Sequence, residues 1–128
     1  MAKATDLFEH FYAPDRATWR AWLEVNHTTA RGVWLIYFKK ESGKTRVSYD
    51  EAVEEALCFG WIDSVPNKID EESYKQLFSP RNPKSRWSKL NKDRVARLEQ
   101  EGLICEAGQK MIDLAKETGT WRDRKSVV

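Results

Sequence analysis

The sequence predicts an α+β fold: a small three-stranded, mainly antiparallel sheet packed with about four helices. Helix-like and strand-like segments follow the order helix, strand, helix, strand, strand, helix, helix. This order lacks the regular strand–helix–strand repetition of a doubly wound sheet. Hydrophobic residues make up 41% of the 128 residues and aromatic residues 12%, which is enough to form a packed core.

The first helix and the first strand are predicted from residues 15–40. Asp15 marks a helix start, and Trp19 and Trp22 recur at helical spacing before the helix ends near Asn26. Residues 33–40, VWLIYFKK, are almost continuously β-branched or aromatic at their start. Such a run is typical of a central strand that is buried on both faces.

The second helix begins at a capping box, in which the side chains of Ser48 and Glu51 satisfy free backbone donors. Gly60 ends this helix. Residues 61–69 predict a second strand, and Pro66 within it lacks a backbone donor. The strand is therefore expected at a sheet edge, or bulged at the proline.

The remaining elements are one strand, two helices and a tail. Residues 73–79 alternate in polarity and predict a third strand, antiparallel to the second. Ser85 is expected to cap a third helix over residues 86–101, and a fourth helix is expected over residues 106–117. Residues 121–128 predict a flexible basic tail.

The length fits one domain, which we place at residues 1–120. Cys58 and Cys105 are far apart, and we interpret Cys58 as a buried thiol. Two cysteines and two histidines without CxxC or HxxxH spacing give no zinc signature. The sequence predicts no metal and no cofactor, since no phosphate-cradling glycine loop is present either.

The first fifteen residues lack the apolar core of a signal peptide. The longest apolar run, residues 33–38, is too short to span a bilayer. We therefore expect a cytoplasmic protein with no membrane insertion.

Charge is unevenly distributed although the net charge is only +2. Residues 50–72 contain eight acids and one base, and residues 81–97 contain seven bases and one acid. Three interpretations remain open: the basic stretch attracts an anionic partner, the two stretches face each other, or the bases form a solvated helix surface.

The first candidate constellation lies where the second helix turns into the second strand. Trp61 and Asp63 share one strand face, where Asp63 either lines a pocket with Ser64 or stabilises a turn beside a Trp anchor; we favour the anchor. Lys68 and Tyr74 flank the next hairpin turn. They are either an acid/base pair or solvated hairpin residues, and we favour the second interpretation. No catalytic triad is assignable. Trp61, Asp63 and Lys68 are kept as candidate ligand-binding residues.

The second candidate constellation runs from Phe78 to Asn91. Its two prolines stiffen a loop, its cations donate hydrogen bonds, and the start of the third helix offers free backbone donors to an anion. Trp87, Asn91, Arg94 and Leu98 are spaced to share one helix side. The result is a Trp-lined basic rim that is equally a ligand site or a set of structural hydrogen bonds. Its candidate residues are Arg81, Ser85, Trp87, Ser88, Asn91 and Arg94.

Four stretches of the chain together resemble the bacterial YdeI/OmpD-associated, or bacteriocin-protection, family. They are Trp19-x-x-Trp22-Leu23-x-x-Asn26-His27 with Gly32-Val33-Trp34-Leu35, Tyr49-x-Glu51 through Phe59-Gly60-Trp61-Ile62-Asp63-Ser64, Phe78-Ser79-Pro80-Arg81, and Ser85-x-Trp87-Ser88-x-x-Asn91-x-x-Arg94-Val95-x-x-Leu98. The resemblance runs from about Asp15 to Leu114. It implies protection against cationic antimicrobial peptides in association with an outer-membrane porin, and it supplies no catalytic residues.

Three function classes follow from these observations. The favoured one is a non-enzymatic protection or stress module that binds a small anionic ligand or a protein partner through the Trp-lined basic rim. The alternative is a nucleic-acid-binding domain, because seven bases and Trp87 lie within residues 81–97. A small enzyme using Asp63, Ser64, Lys68, Tyr74 or Arg81 is the third class. The sequence leaves the oligomeric state open.

Overall fold

The computed structural model describes residues 4–122. Within these residues the helices are α1 Arg16–Asn26, α2 Tyr49–Cys58, α3 Lys89–Gln100 and α4 Glu106–Thr118. The strands are β1 His10–Tyr12, β2 Val33–Phe38, β3 Trp61–Lys68 and β4 Ser73–Pro80. Short 3₁₀ helices cover Ala4–Leu7 and Lys40–Ser42. The α+β class is confirmed.

The sheet has four described strands in the order β1-β2-β4-β3, so the predicted count of three strands is wrong. β1 is parallel to β2, while β2–β4 and β3–β4 are antiparallel. β1 is not indicated by the sequence, because three residues are too few to show the alternation of polar and apolar residues that marks a strand. Its pairing with β2, for example Phe11 opposite Leu35, links segments that are distant in sequence.

The core lies between the helices and one face of the sheet. Leu35 and Tyr37 of β2 and Phe78 of β4 point towards the helices, as the two-residue period of strands requires, and none of the three is exposed. Trp19 and Trp22 of α1 stack with ring centroids 5.6 Å apart. These large aromatic surfaces supply much of the apolar burial that stabilises the fold.

The expectations for β3 are confirmed. β3 pairs only with β4 among the described strands and lies at the sheet edge. Its register with β4 shifts between Asp63 and Pro66, which marks a bulge. A proline fits there because a bulged edge position needs no ladder donor.

The starts of α1 and α2 are confirmed. The side chain of Asp15 accepts a hydrogen bond from the backbone of Thr18 at 2.8 Å. Ser48 and Glu51 form the reciprocal capping box, with both hydrogen bonds at 3.1 Å. Each cap satisfies backbone donors that the first helical turn leaves free.

The predicted start of the third helix is wrong. α3 begins at Lys89, and its N-cap is Ser88, whose hydroxyl accepts from the backbone of Asn91 at 3.1 Å. Ser85 instead donates its hydroxyl hydrogen to the Asn82 carbonyl at 2.8 Å. The backbone N–H of Trp87 donates to Thr120 at 3.1 Å, and this long-range bond places the preceding loop against the segment after α4.

α2 and α4 approach each other closely at Gly108. A Cβ atom at this position would lie 2.3 Å from the carbonyl oxygen of Cys58, so only glycine allows this distance.

The sequence predicts a flexible basic tail over residues 121–128. Trp121 packs with its ring centroid 4.9 Å from that of Trp87, and residues 123–128 lie outside the described part of the chain.

Candidate functional site

The predicted site residues are divided among three places. Arg81 and Trp87 meet beside the C-terminal end of α4. Arg94 lines a groove between α2 and α3 and donates a hydrogen bond to Asn91. Asp63 belongs to a cluster of polar and aromatic side chains on the helix-covered face of the sheet. Each place is assembled by contacts between segments that are distant in sequence.

Arg81 follows directly after β4 and is only 7% exposed. Its backbone N–H donates to Gly60 at 2.8 Å, which ties the residue to the end of α2. Its guanidinium carbon lies 3.9 Å from the centre of the Trp87 ring, and its Nη2 donates to the Arg86 carbonyl at 2.9 Å. The contacts with Gly60, the Trp87 ring and the Arg86 carbonyl thus hold Arg81 in one orientation.

The guanidinium of Arg81 has no acidic partner among residues 4–122. Its Nε is buried and makes no hydrogen bond. Burial lowers the pKa of Arg81 below its ordinary value, since no carboxylate offsets the loss of hydration. A buried cation without a counter-charge is costly, so this arrangement is typical of a site that an anion completes.

An aromatic wall lies beside Arg81. Trp87 is 6% exposed, and its ring contacts the half-buried ring of Trp121. The ammonium of Lys116 lies 5.0 Å from the centre of the Trp121 ring. We call Arg81, Trp87, Trp121 and Lys116 the Arg81 site. It combines two cations with two indole rings and corresponds to part of the predicted Trp-lined basic rim.

Four other candidate ligand-binding residues do not join the Arg81 site. Ser85 closes a turn with Asn82, and Ser88 caps α3. Trp61 is 1% exposed and donates its indole N–H to the His27 carbonyl at 3.3 Å, as the anchor interpretation predicts. Lys68 is exposed at the hairpin and pairs with Glu71 at 3.0 Å, as a solvated hairpin residue does.

Arg94 lines a groove between α2 and α3 with a volume of about 320 Å³. Arg94 donates to the Asn91 side chain at 2.8 Å and to Asp50 at 2.6 Å. Trp87 precedes α3, so its expected place on the helix side of Asn91 and Arg94 is wrong, whereas Asn91 and Arg94 do share one side of α3. The groove is lined by Asp50, Glu54, Leu90, Asp93, Arg94 and Arg97.

Ion pairs occupy much of the basic stretch of residues 81–97. Arg94 pairs with Asp50, Arg97 pairs with Glu54 and Glu101, and Lys89 pairs with Asp93. Two of these acids, Asp50 and Glu54, belong to the acidic stretch of residues 50–72. The two stretches therefore face each other in part, across α2 and α3, which is one of the three interpretations that the sequence left open.

Asp63 lies in a polar cluster that the sequence analysis did not assemble. One of its carboxylate oxygens, Oδ2, accepts from the hydroxyl of Tyr49 and from the side-chain amide of Gln76, both at 2.9 Å. Tyr37 and Tyr74 stack alongside with ring centroids 5.0 Å apart. We call Tyr37, Tyr49, Asp63, Tyr74 and Gln76 the tyrosine cluster.

Burial and the Asp63 carboxylate together raise the pKa values of two tyrosines in this cluster. Burial, followed by the hydrogen bond to Asp63, raises the pKa of Tyr49 to about 12. Burial also raises the pKa of Tyr37, with a further contribution from Tyr74. Both hydroxyls therefore stay protonated at neutral pH. The alternation of Tyr74 and Gln76 along β4 was the only sequence signal for this cluster.

Within residues 4–122, no group of three or more His, Cys, Asp or Glu side chains is placed to hold a metal ion. In the same residues, no helix has the length and apolar character needed to cross a membrane. Fold and site together define a small α+β domain in which a buried arginine lies over a tryptophan ring and has no acidic partner among residues 4–122.

The family model described as a domain of unknown function, DUF8412, matches residues 11–111. This span includes most of the chain, and the chain belongs to that family. No curated protein and no solved structure matches the chain significantly.

Proposed function

We propose that this domain is a non-enzymatic binding module whose ligand is a small anion, or an anionic group on a partner protein, held at the Arg81 site. The observation that supports this proposal is the buried guanidinium of Arg81, which lacks an acidic partner among the described residues and carries an unpaired Nε. An anion that accepts from this guanidinium removes the unfavourable desolvation of the cation.

The chemistry of the Arg81 site favours a carboxylate or a phosphate. A guanidinium presents a planar set of donors that matches both groups, and the Trp87 ring fixes its plane. Lys116 adds a second positive charge beside Trp121. The indole rings offer apolar contact to whatever carries the anionic group.

The resemblance to the YdeI/OmpD-associated family supports a protective or stress-related role for this binding. That kinship and that role stay predictions, as does the cytoplasmic location expected from the sequence. An anion-binding site is compatible with such a role whether the bound anion is free or belongs to an acidic partner protein.

The proposal is tested by titrating the full chain with inorganic phosphate and with citrate, followed by calorimetry and tryptophan fluorescence. Replacing Arg81→Gln removes the charge and the donor fork. We expect it to weaken binding by about tenfold to a hundredfold, the usual range for losing a hydrogen bond to a charged group. Arg81→Lys keeps the charge but not the planar fork, and should give an intermediate loss.

Arg86→Gln is the matched control, since Arg86 is an exposed arginine in the same loop and its backbone carbonyl, which Arg81 contacts, is retained. We expect it to change affinity less than threefold. Equal affinities for the wild type, Arg81→Gln and Arg86→Gln, with all three folded by circular dichroism, would contradict the proposal. The absence of any binding to the wild type would do the same.

The nucleic-acid alternative gains no support from the paired basic stretch. Among the seven bases of residues 81–97, Arg81 is buried, and three others form ion pairs within the described residues. No feature at Asp63, Ser64 or Lys68 favours the enzyme alternative, since Asp63 is engaged by Tyr49 and Gln76, and Lys68 by Glu71.

A further inference from the structure

Tyr37 is a buried tyrosine whose hydroxyl has no hydrogen-bond partner in the part of the chain that the structure describes. The residue is 0% exposed and lies on the helix-covered face of the central strand β2. An unpaired buried hydroxyl destabilises the folded state, because the group loses its water without gaining a partner. Phenylalanine would fill the same space without this cost, so the hydroxyl calls for an explanation other than packing.

Unused acceptors lie in the same cluster. Asp63 employs Oδ2 for both of its hydrogen bonds, and Gln76 employs its amide nitrogen. The second carboxylate oxygen of Asp63 and the amide oxygen of Gln76 therefore accept nothing from the described residues. Among the described residues, only Tyr37 Oη and Arg81 Nε are buried side-chain nitrogen or oxygen atoms without a hydrogen-bond partner. The free oxygens of Asp63 and Gln76 are therefore reachable from solvent.

The charge of the cluster is balanced. Arg46 donates from its Nη1 to the Tyr74 hydroxyl at 3.2 Å, and both Arg46 and Asp63 act electrostatically on Tyr37. Arg94 is close enough to act electrostatically on Tyr49. A strongly charged ligand of either sign would meet a like charge here, so the cluster favours a neutral one.

An exposed side chain lies next to the buried ring of Tyr37. The guanidinium of Arg46 lies 5.7 Å from the centre of the Tyr37 ring, and Arg46 itself is exposed. Exposed side chains change rotamer on the picosecond-to-nanosecond timescale without backbone movement. Arg46 can therefore move away from the Tyr37 ring without a change in the backbone.

We propose that the tyrosine cluster is a second binding site, independent of the Arg81 site, for a neutral hydroxyl-rich small molecule, a polyol or a saccharide. Adjacent hydroxyls of such a ligand donate to the free oxygens of Asp63 and Gln76. The Tyr37 hydroxyl donates to a ligand oxygen, and the tyrosine rings contact the C–H face of the ligand. A few polar groups set against aromatic rings are the usual composition of a small-molecule site.

The test compares the wild type with Tyr37→Phe, using the full chain. Binding of glucose, galactose and myo-inositol is measured by ligand-observed NMR titration, with cyclohexanol as a probe of similar shape that has a single hydroxyl. We expect the wild type to bind one or more polyols, and cyclohexanol at least tenfold more weakly. Tyr37→Phe should lower polyol affinity about fivefold to tenfold, the loss expected for one hydrogen bond.

The same variant should raise the melting temperature of the unliganded protein by about 3–6 °C, because it removes an unpaired buried hydroxyl. Tyr12→Phe is the matched control: its hydroxyl bonds the Thr45 carbonyl, so its loss should lower the melting temperature and leave polyol binding unchanged. A lower melting temperature for Tyr37→Phe would overturn the proposal. So would unchanged polyol affinity, or no binding to the wild type at tens of millimolar.

Discussion

Glu55 shows how much a single buried charge depends on its partners. The residue is 2% exposed, in the middle of α2. Arg16 bonds one of its carboxylate oxygens, and Arg20 bonds the other at 2.8 Å. Burial opposes the charge of Arg20, while the hydrogen bond to Glu55 and the charge of Glu55 raise the pKa of Arg20 above its ordinary value. The ion pairs of Glu55 with Arg16 and Arg20 join α1 to α2, and they require desolvation of the Glu55 carboxylate.

We expect Glu55→Ala to lower the free energy of unfolding by about 2–3 kcal/mol, at the low end for a broken buried pair because both arginines are partly exposed. Glu24→Ala is the control, since Glu24 is exposed and contacts the same Arg20 at 3.5 Å; its cost should stay below about 0.5 kcal/mol. Urea unfolding measures both. Similar costs for the two variants would show that Glu55 is not a central partner.

The buried thiol of Cys58 leads to a prediction about the reactivity of the two cysteines at pH 8. Burial, and then the charge of Glu55, raises the pKa of Cys58 to about 11. Because the thiolate is the reactive form, we expect Ellman's reagent at pH 8 to modify one thiol of the folded protein, the half-buried Cys105, and the second only after unfolding. Cys105→Ser should abolish the fast reaction. Two fast thiols would contradict the burial of Cys58.

The raised pKa of Cys58 also determines how the stability of the fold changes with pH. An unfolded cysteine loses its proton near pH 8.5, whereas folded Cys58 keeps its proton up to about pH 11. The contribution of Cys58 to stability is therefore complete below about pH 8.5 and is lost as the pH rises towards 11.

Among the elements, α3 differs most from its expected form. Serines 85 and 88 both precede the helix-forming segment, and each has the residue type of an N-cap. The structure uses Ser88, because Trp87 donates its backbone N–H to Thr120 and packs on Trp121. A residue engaged in this way cannot also form the first helical turn. Tertiary contacts therefore decide between two caps of equal local quality.

This choice predicts unequal costs for two matched substitutions. Ser88→Ala should lower the free energy of unfolding by about 1 kcal/mol, the usual cost of losing a serine cap. Ser85→Ala removes only a half-exposed turn hydrogen bond to Asn82 and should cost less than half as much. Chemical denaturation of both variants measures the difference. An equal or larger cost for Ser85→Ala would indicate that the helix begins earlier.

For the molecule as a whole, charge is segregated in sequence but partly neutralised in space. Arg94 and Arg97 of α3 pair with Asp50 and Glu54 of α2. Among the seven bases of residues 81–97, three form no ion pair within the described residues and are not buried: Lys84, Arg86 and Lys92. The field that reaches solvent is therefore weaker than the count of bases indicates.

Titration of labelled single- and double-stranded oligonucleotides at several salt concentrations tests this charge pairing. Three unpaired bases contact about three phosphates, so any binding should have a log–log salt slope no steeper than about −3. Replacing Arg86→Glu should reduce that binding, while Lys110→Glu on α4 serves as a control at an exposed lysine away from the basic stretch. A slope much steeper than this would restore the nucleic-acid alternative.

Local features of the fold were predictable from the sequence. The Asp15 cap, the Ser48–Glu51 capping box and the bulge near Pro66 each depend on residues within a few positions of each other. Local sequence fixes such features because backbone donors, side-chain acceptors and proline geometry act over one turn of chain. β1 was not predictable, since its three residues form a strand only against β2.

The candidate sites were predictable only as residue types. The sequence by itself determined that a conformationally restricted loop carries Arg81 and Trp87, and that Asp63 follows Trp61 on a strand. Tertiary structure alone decided that Arg81 is buried without an acidic partner within residues 4–122, that Trp121 completes its aromatic wall, and that Asp63 meets Tyr49 and Gln76. The physical reason is that burial and pairing depend on which segments pack together, and packing is a property of the whole chain.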